Sequence, residues 1–398
     1  MASPQSERLK VLGAGVIGLV LMLGVARFSY TPLLPLMQQQ AGLGVAEGGW
    51  LAAINYMGYL SGAVIASLIS DIVLKDRLYR LGLVLALLTT VGMALTDSLW
   101  LWAVMRFLAG LSSAAGLLLG SGLVLHWLIR HDHRSELGIH FAGIGLGIAF
   151  CAVAVEWMHP TFDWREQWVL LTFMGALMAI PAWVWLPRPQ VRSMTGDGVP
   201  MIDRPPSPTF VRLFMAAYFC AGVGYVVSAT FIVAIVEQLP GLQGKGSWTF
   251  MVVGLAAAPA CIVWDLIARR VGDINAMIAA FMLQIVGILL PVIAPSLGMT
   301  LLGAALFGGT FIGIVSLVLT MAGRFYPTRP AKMMGKMTIS YGVAQIVAPA
   351  ITGLLAEGGG SYDRGLYLAA IMMILGSLLM LVLKARSGSE ALSTEPVG

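Results

Sequence analysis

Gly24-Val25-Ala26-Arg27-Phe28-Ser29-Tyr30-Thr31-Pro32-Leu33-Leu34-Pro35 lies inside an apolar run that extends from about Val11 to Leu36. About 20 apolar residues cross the hydrocarbon core of a bilayer as a helix. This run is long enough, yet it carries a guanidinium in its interior. Arg near the middle of a membrane helix costs roughly 2.5–3.5 kcal/mol on insertion scales. It therefore faces protein or a wet cavity and needs a partner. The stretch predicts a membrane-spanning helix that lines an interior where a cation has a role.

The rest of the chain fits that reading. Of 398 residues, 58% are hydrophobic and 11% charged, against about 25% charged in a typical soluble domain. A soluble enzyme with a large core is excluded. Twelve apolar runs follow one another, at about 11–36, 50–70, 79–96, 99–128, 136–158, 167–186, 209–237, 247–268, 274–294, 298–322, 335–356 and 364–384. They are too long for strands and do not alternate apolar with polar, so the expectation is an all-α membrane protein of twelve spans. The first run follows Arg8 and Lys10 but is too long for a signal-peptide core, and is read as a retained span. The three cysteines, Cys151, Cys220 and Cys261, sit in apolar runs without metal-ligand spacing and are read as packing residues.

Orientation comes from Lys and Arg in the short loops. With the N-terminus cytoplasmic, Arg165, Lys245 and Arg364 fall outside, Arg27 and Arg106 fall in the membrane, and the remaining 19 of the 24 basic residues fall inside. One missed helix would scramble this bias, so twelve spans and cytoplasmic termini support each other. The net charge of +5 is explained by that face, and nucleic-acid binding is not needed.

The longest polar gap, about Pro187 to Pro208, divides the chain. Residues 1–186 are expected to form one six-helix bundle, 187–208 a cytoplasmic linker, 209–386 a second bundle, and 387–398 a disordered tail. The halves match internally. Gly24 to Phe28 aligns with Gly222 to Val226 at an offset of 198 residues, Phe107 to Gly110 with Ala305 to Gly308 at the same offset, and Gly138 with Gly335 at 197. Two parallel repeats with a site between them at mid-membrane is a transporter plan.

The span 1 stretch, continued through Leu36-Met37, is similar to the signature of the YbfB/YjiJ-type branch of the major facilitator superfamily. The superfamily's loop motif between spans 2 and 3 is matched in altered form by Ser67-Leu68-Ile69-Ser70-Asp71 followed by Lys75, Arg77 and Arg80, with Ser67 where Gly is usual. Arg106-Phe107-Leu108-Ala109-Gly110 resembles its span 4 pattern, and Gly138, Gly143, Gly145 and Gly147 loosely resemble its span 5 motif. The resemblance covers all twelve spans. It implies two pseudo-symmetric six-helix bundles and a secondary transporter without cofactor, acting as a monomer on a small-molecule substrate in a bacterial inner membrane.

Arg27 and Arg106 lie about 14 Å and 10 Å inside the outer ends of their spans, by helix rise. At similar depth on cavity-lining spans, they would favour an anion such as a carboxylate. The alternative is structural, with each Arg bonding helix-end carbonyls. Tyr30 on span 1, Asn55, Tyr56 and Tyr59 on span 2, Tyr225 and Ser228 on span 7, and Tyr341 and Gln345 on span 11 are the other substrate candidates; each could equally make an interhelical bond. Pro32 and Pro35 read either as a gate or as a helix end. Asp71 with Arg77 and Arg80 reads as a cytoplasmic charge latch between access states. None of the 19 acidic residues lies deep in spans 1, 4, 7 or 10, so proton coupling would fall to His140, Glu156 or His126, all near span ends. His131, Asp132 and His133 are adjacent in a loop without supporting ligands, and no metal site is expected. No nucleophile–base pair or P-loop is present, so an enzyme is not expected. The runners-up are a multidrug or metabolite exporter of the same fold, and a membrane sensor or scaffold.

Overall fold

A computed structural model of the protein describes residues 4–131, 137–189, 205–325, 331–357 and 362–393. Most of the linker, Asp132 and His133, and residues 394–398 fall outside these. Every regular element among the described residues is a helix. Eleven are long and apolar enough to cross a membrane: spans 1 to 7 are Gln5–Gln40, Val45–Leu68, Ile72–Ala94, Leu99–Leu128, Gly138–Met158, Trp164–Val184 and Pro208–Gln238, and spans 9 to 12 are Asp273–Ile293, Leu297–Ala322, Met333–Glu357 and Asp363–Arg386. Gly246–Ala257 and Ala260–Val271, bent by 46°, together make span 8. The bend falls at Ala258-Pro259, where the missing N–H breaks the helical ladder. The helix of span 12 continues to Ser393, into the segment expected to be a disordered tail.

Local chemistry sets the helix ends. Asp163 and Glu166 form a capping box at span 6, each carboxylate accepting from the other's backbone N–H at 2.8 and 2.9 Å. Ser207 accepts from Phe210 N–H with Pro208 at the first helical position of span 7. Gly272, at φ 87°, lets span 8 turn at once into span 9. Outward-facing positions keep large apolar side chains exposed, such as Trp100, Leu68, Val184 and Ile293, as lipid demands. Polar side chains go inward: Asn55, Gln167 and His140 have no exposure at all.

Six spans form each bundle, and the bundles meet along three seams. Span 2 packs on span 11, span 5 on span 8, and the segment Tyr30–Gln40 of span 1 on span 7. Small residues allow the close approach: a Cβ on Gly145 would come within 2.3 Å of Ala258 N, and one on Gly342 within 2.7 Å of Leu60. These contacts are symmetry mates, Gly342 following Gly145 by 197 residues and Ala258 following Leu60 by 198. On the third seam the Thr31 hydroxyl donates to Ala229 O at 2.9 Å, again across 198 residues. Equivalent positions that touch must lie beside the pseudo-twofold axis, so the axis passes between spans 1 and 7 here. The end of the bundles remote from the termini is held shut: besides Thr31–Ala229, Gln38 Nε2 reaches Tyr362 Oη at 3.2 Å, Trp248 Nε1 donates to Glu156 at 3.0 Å, and Gly49 is packed on Pro349 and Gly353.

Candidate functional site

The middle of span 1 departs from α-geometry. Val20–Phe28 is wound as a π-helix, with Ser29 N–H donating to Gly24 O at 3.0 Å. Beyond it, Leu33 N–H donates to Ser29 O, the α register. The two registers meet around Pro32, which has no N–H to give. Wide turns inside α-helices are frequent at functional sites. Gly24 belongs here because its backbone rests on that of Gly147 of span 5; a Cβ would come within 2.8 Å of Gly147 Cα.

Arg106 serves this irregular turn. Its Nη1 donates to Ala26 O at 3.5 Å and Arg27 O at 3.4 Å, and its guanidinium lies 4.3 Å from the Tyr30 ring centroid. Asn55 Nδ2 in turn donates to Arg106 O at 2.7 Å, and Tyr30 donates to Gly48 O at 3.0 Å. Spans 1, 2 and 4 are thereby laced together. The carbonyl-bonding alternative for Arg106 describes its geometry, although its Nε has no partner among the described residues.

Arg27 is held differently. Its guanidinium sits 4.5 Å from the ring centroid of Tyr56, 4.8 Å from Tyr59 and 5.3 Å from Phe28. Arg27 Nε has no partner. Neither Arg27 nor Arg106 has a carboxylate partner among the described residues; ion pairs lie elsewhere, among them those of Arg80, Arg165, Arg188, Arg269 and Arg324. A cation–π contact contributes about 0.5–2 kcal/mol, whereas burying an ion costs several kcal/mol even after relaxation. The rings therefore reduce the cost of burying Arg27 without standing in for a counter-charge.

Both arginines line a small pocket between the bundles. Phe28, Tyr30, Thr31, Asn55 and Tyr56 line it from one bundle, and Ala229 and Thr230 from the other. Behind Tyr225 the second bundle carries an aromatic column: Tyr225 stacks on Phe311 at 4.9 Å and Tyr341 at 5.8 Å, and Tyr341 on Tyr218 at 4.5 Å. Ser228 and Gln345, a helical turn from Tyr225 and Tyr341, are each 3% exposed and keep a side-chain oxygen without a partner. The structure thus gathers Arg27, Tyr30, Asn55, Tyr56, Tyr59, Arg106, Tyr225 and Tyr341 around one centre. Phe28, Thr31, Thr230 and Phe311 also belong here; in the sequence only the repeat, which places Thr31 opposite Ala229, held a signal for any of them.

The groups expected to gate or couple are placed otherwise. Asp71 does not pair with Arg77 or Arg80: its carboxylate caps span 3, accepting from Val73 N–H at 2.9 Å. Span 3 begins at Ile72, so both arginines are helical. Arg77 is exposed. Arg80 is buried and pairs with Asp76 one turn earlier, while donating to Trp183 O at 2.7 Å and Leu186 O at 3.0 Å. It ties span 3 to the end of span 6 within one bundle, so these contacts do not bridge the halves. His140 is not loop-facing. It is fully buried against Ser121, Nε2 to Oγ 2.9 Å, beside a second π segment, Ala115–Gly120 of span 4. Glu156 is at the span end, bonded to Trp248. Pro32 sits in the first turn of Tyr30–Gln40, where a helix tolerates its missing N–H.

A cavity at mid-membrane between two pseudo-symmetric bundles, without a catalytic constellation among the described residues, defines a solute transporter. The chain matches the family described as "Uncharacterised MFS-type transporter YbfB" over residues 19–381 and belongs to it. It is 22% identical over 391 residues to the probable sulfoacetate transporter SauU of Cupriavidus necator, covering 90% of this chain and 89% of that one. It is 27% identical over 177 residues to the niacin transporter NiaP of Acinetobacter baylyi, covering 44% of this chain and 38% of the relative. It is also 27% identical to the uncharacterized transporter mfc1 of Schizosaccharomyces pombe, covering 42% and 34%. The matched part is thus well under half the length of the last two. In structure it is similar to the nucleoside transporter NupG, with TM-score 0.68, 12% identity and coverage of 95% and 98%. It also resembles a D-xylose–proton symporter, with TM-score 0.71, 13% identity and coverage of 93% and 96%. The chain is thus a multi-pass member of a family of transporters.

Proposed function

We propose that the protein moves a small organic anion across the bacterial inner membrane by alternating access, with both termini in the cytoplasm. The single observation that carries this reading is Arg27. It is a buried cation, packed on neutral tyrosines, with a free Nε and no carboxylate partner among the described residues. A transported anion supplies the missing charge. SauU, a relative matched along most of its length, is named for sulfoacetate, an organic anion. The sealed end remote from the termini is then the outer one.

The test is uptake into proteoliposomes across a panel of organic anions, with and without a pH gradient. Arg27→Ala is expected to abolish uptake while the protein still folds and reconstitutes. Undiminished anion uptake by that variant sinks the proposal. Proton coupling is the finer part of the reading, and His140, whose Nδ1 has no partner inside the first bundle, is the candidate group. His140→Gln is expected to lose stimulation by the gradient while retaining anion exchange. A gradient without effect on the unmodified protein removes this part.

A further inference from the structure

Resting on the anion reading above, we propose that the pocket between Arg27 and Arg106 binds a single-atom inorganic anion, chloride or bromide, which offsets their charge while the bundles are closed over them. Three observations converge on this site. The first is charge. Arg27 and Arg106 both line the pocket, are 6% and 3% exposed, and each keep a buried Nε without a hydrogen-bond partner. Arg106 Nη1 lies 3.4 Å from Arg27 O, so the two cations are neighbours, and neither has a carboxylate partner among the described residues. Two like charges buried together disfavour each other, and an anion between them favours both. The second observation is size. The pocket has room for about one water molecule. A chloride ion takes up about that volume, whereas a carboxylate group is larger and enters only when the bundles part. The third is the lining. Beside the guanidiniums, the donors are committed elsewhere: Tyr30 Oη to Gly48 O, Thr31 Oγ1 to Ala229 O and Asn55 Nδ2 to Arg106 O. Ala52 and Ala229 add apolar wall. Such a site serves fluoride poorly, because that ion holds its water strongly, and suits the weakly hydrated chloride and bromide. Asn55 Oδ1, a lining acceptor without a partner, suits a water instead, but a water leaves both charges uncompensated.

The experiment is thermal unfolding of the full-length purified protein in detergent, in sodium fluoride, chloride, bromide or gluconate at equal ionic strength. Chloride and bromide are expected to raise the melting temperature above that in gluconate by about 2 °C, saturating with concentration as a bound ligand does. Fluoride is expected to raise it less. The shift is expected to vanish in Arg27→Gln. It is also expected to vanish in Ala52→Val, which keeps both arginines and fills the space with methyl groups. Chloride is compared with gluconate within each variant, so a general loss of stability does not imitate the result, and either variant serves if the other does not fold. Equal melting temperatures in chloride and gluconate, the outcome for a pocket that takes water only, overturn this inference. So does a chloride shift that survives either variant. Arg27-dependent uptake of an organic anion without any halide shift leaves the anion reading standing and removes this one. A halide shift that needs Arg27, beside organic-anion uptake undiminished by Arg27→Ala, does the reverse.

Discussion

Two arginines share one cavity and are held by opposite means. Arg106 is tied to backbone carbonyls and holds the π turn of span 1 in shape. Arg27 is buried on aromatic faces with its charge uncompensated. Removing them should therefore move stability in opposite directions. Arg27→Gln is expected to raise the melting temperature of the ligand-free protein in detergent, because it removes a charge whose burial costs several kcal/mol, while transport is lost. That is the usual trade between a strained site and stability. Arg106→Gln is expected to lower the melting temperature, since Ala26 O and Arg27 O lose their donor. Thermal unfolding of the two variants side by side decides it, and equal shifts would contradict the assignment. Arg80 gives a third case. Its partner Asp76 is 2% exposed, and breaking a buried pair from one side costs about 3–5 kcal/mol. Asp76→Asn should destabilise the first bundle by roughly that amount. Asp71→Asn, which removes only a capping charge, should cost about 1 kcal/mol at most.

At the scale of elements, the site depends on how closely spans 2 and 4 approach. Gly58 lies against Phe107 O, where a Cβ would come within 2.0 Å, and Gly110 against Asn55 O at the same distance. Backbones this close let Asn55 reach Arg106 O and set the tyrosines of span 2 beneath Arg27. Gly110→Val forces the two helices apart and is expected to cost at least 1–3 kcal/mol from overpacking. It should also abolish binding, because Asn55 is displaced. Native-like melting together with retained uptake in that variant would show that the approach is not needed. The periodic glycines of spans 4 and 5 were legible in the chain. Their partners were not, because packing partners in a helical bundle are set by how spans are arranged in three dimensions. The π segments were equally hidden. Apart from Arg27, Val20–Phe28 has the composition of ordinary apolar helix, and the wider register goes with the contact with span 5 and with Pro32 beyond.

At the scale of the whole molecule, the bundles touch at symmetry-equivalent positions near the end remote from the termini. If this end opens during transport, joining Thr31 to Ala229 must stop the cycle. Thr31→Cys with Ala229→Cys, in a background with Cys151, Cys220 and Cys261 replaced by alanine, is expected to lose uptake when treated with a short bifunctional thiol cross-linker. Each single cysteine should retain it. Uptake that continues through confirmed cross-linking would mean that this seam does not part.

What the chain alone determined was the number of spans, the repeat and the singular position of Arg27. Each follows from local composition: a helix in lipid must satisfy its own backbone, so apolar length reads directly as a span, and an ion in such a span is conspicuous. The offset of 198 residues was written in the repeat and reappears as the bond from Thr31 to Ala229. What only the tertiary structure decided was which polar group meets which. Asp76 rather than Asp71 became the partner of Arg80, since the helix of span 3 begins earlier than its apolar run and places residues 76 and 80 on one face. His140, near a span end in sequence, became fully buried because span 5 packs on span 1 along its length and meets Ser121 of span 4 there. Arg27 and Arg106, alike in residue type and depth, were separated into a free cation and a bonded one by the carbonyls that each could reach.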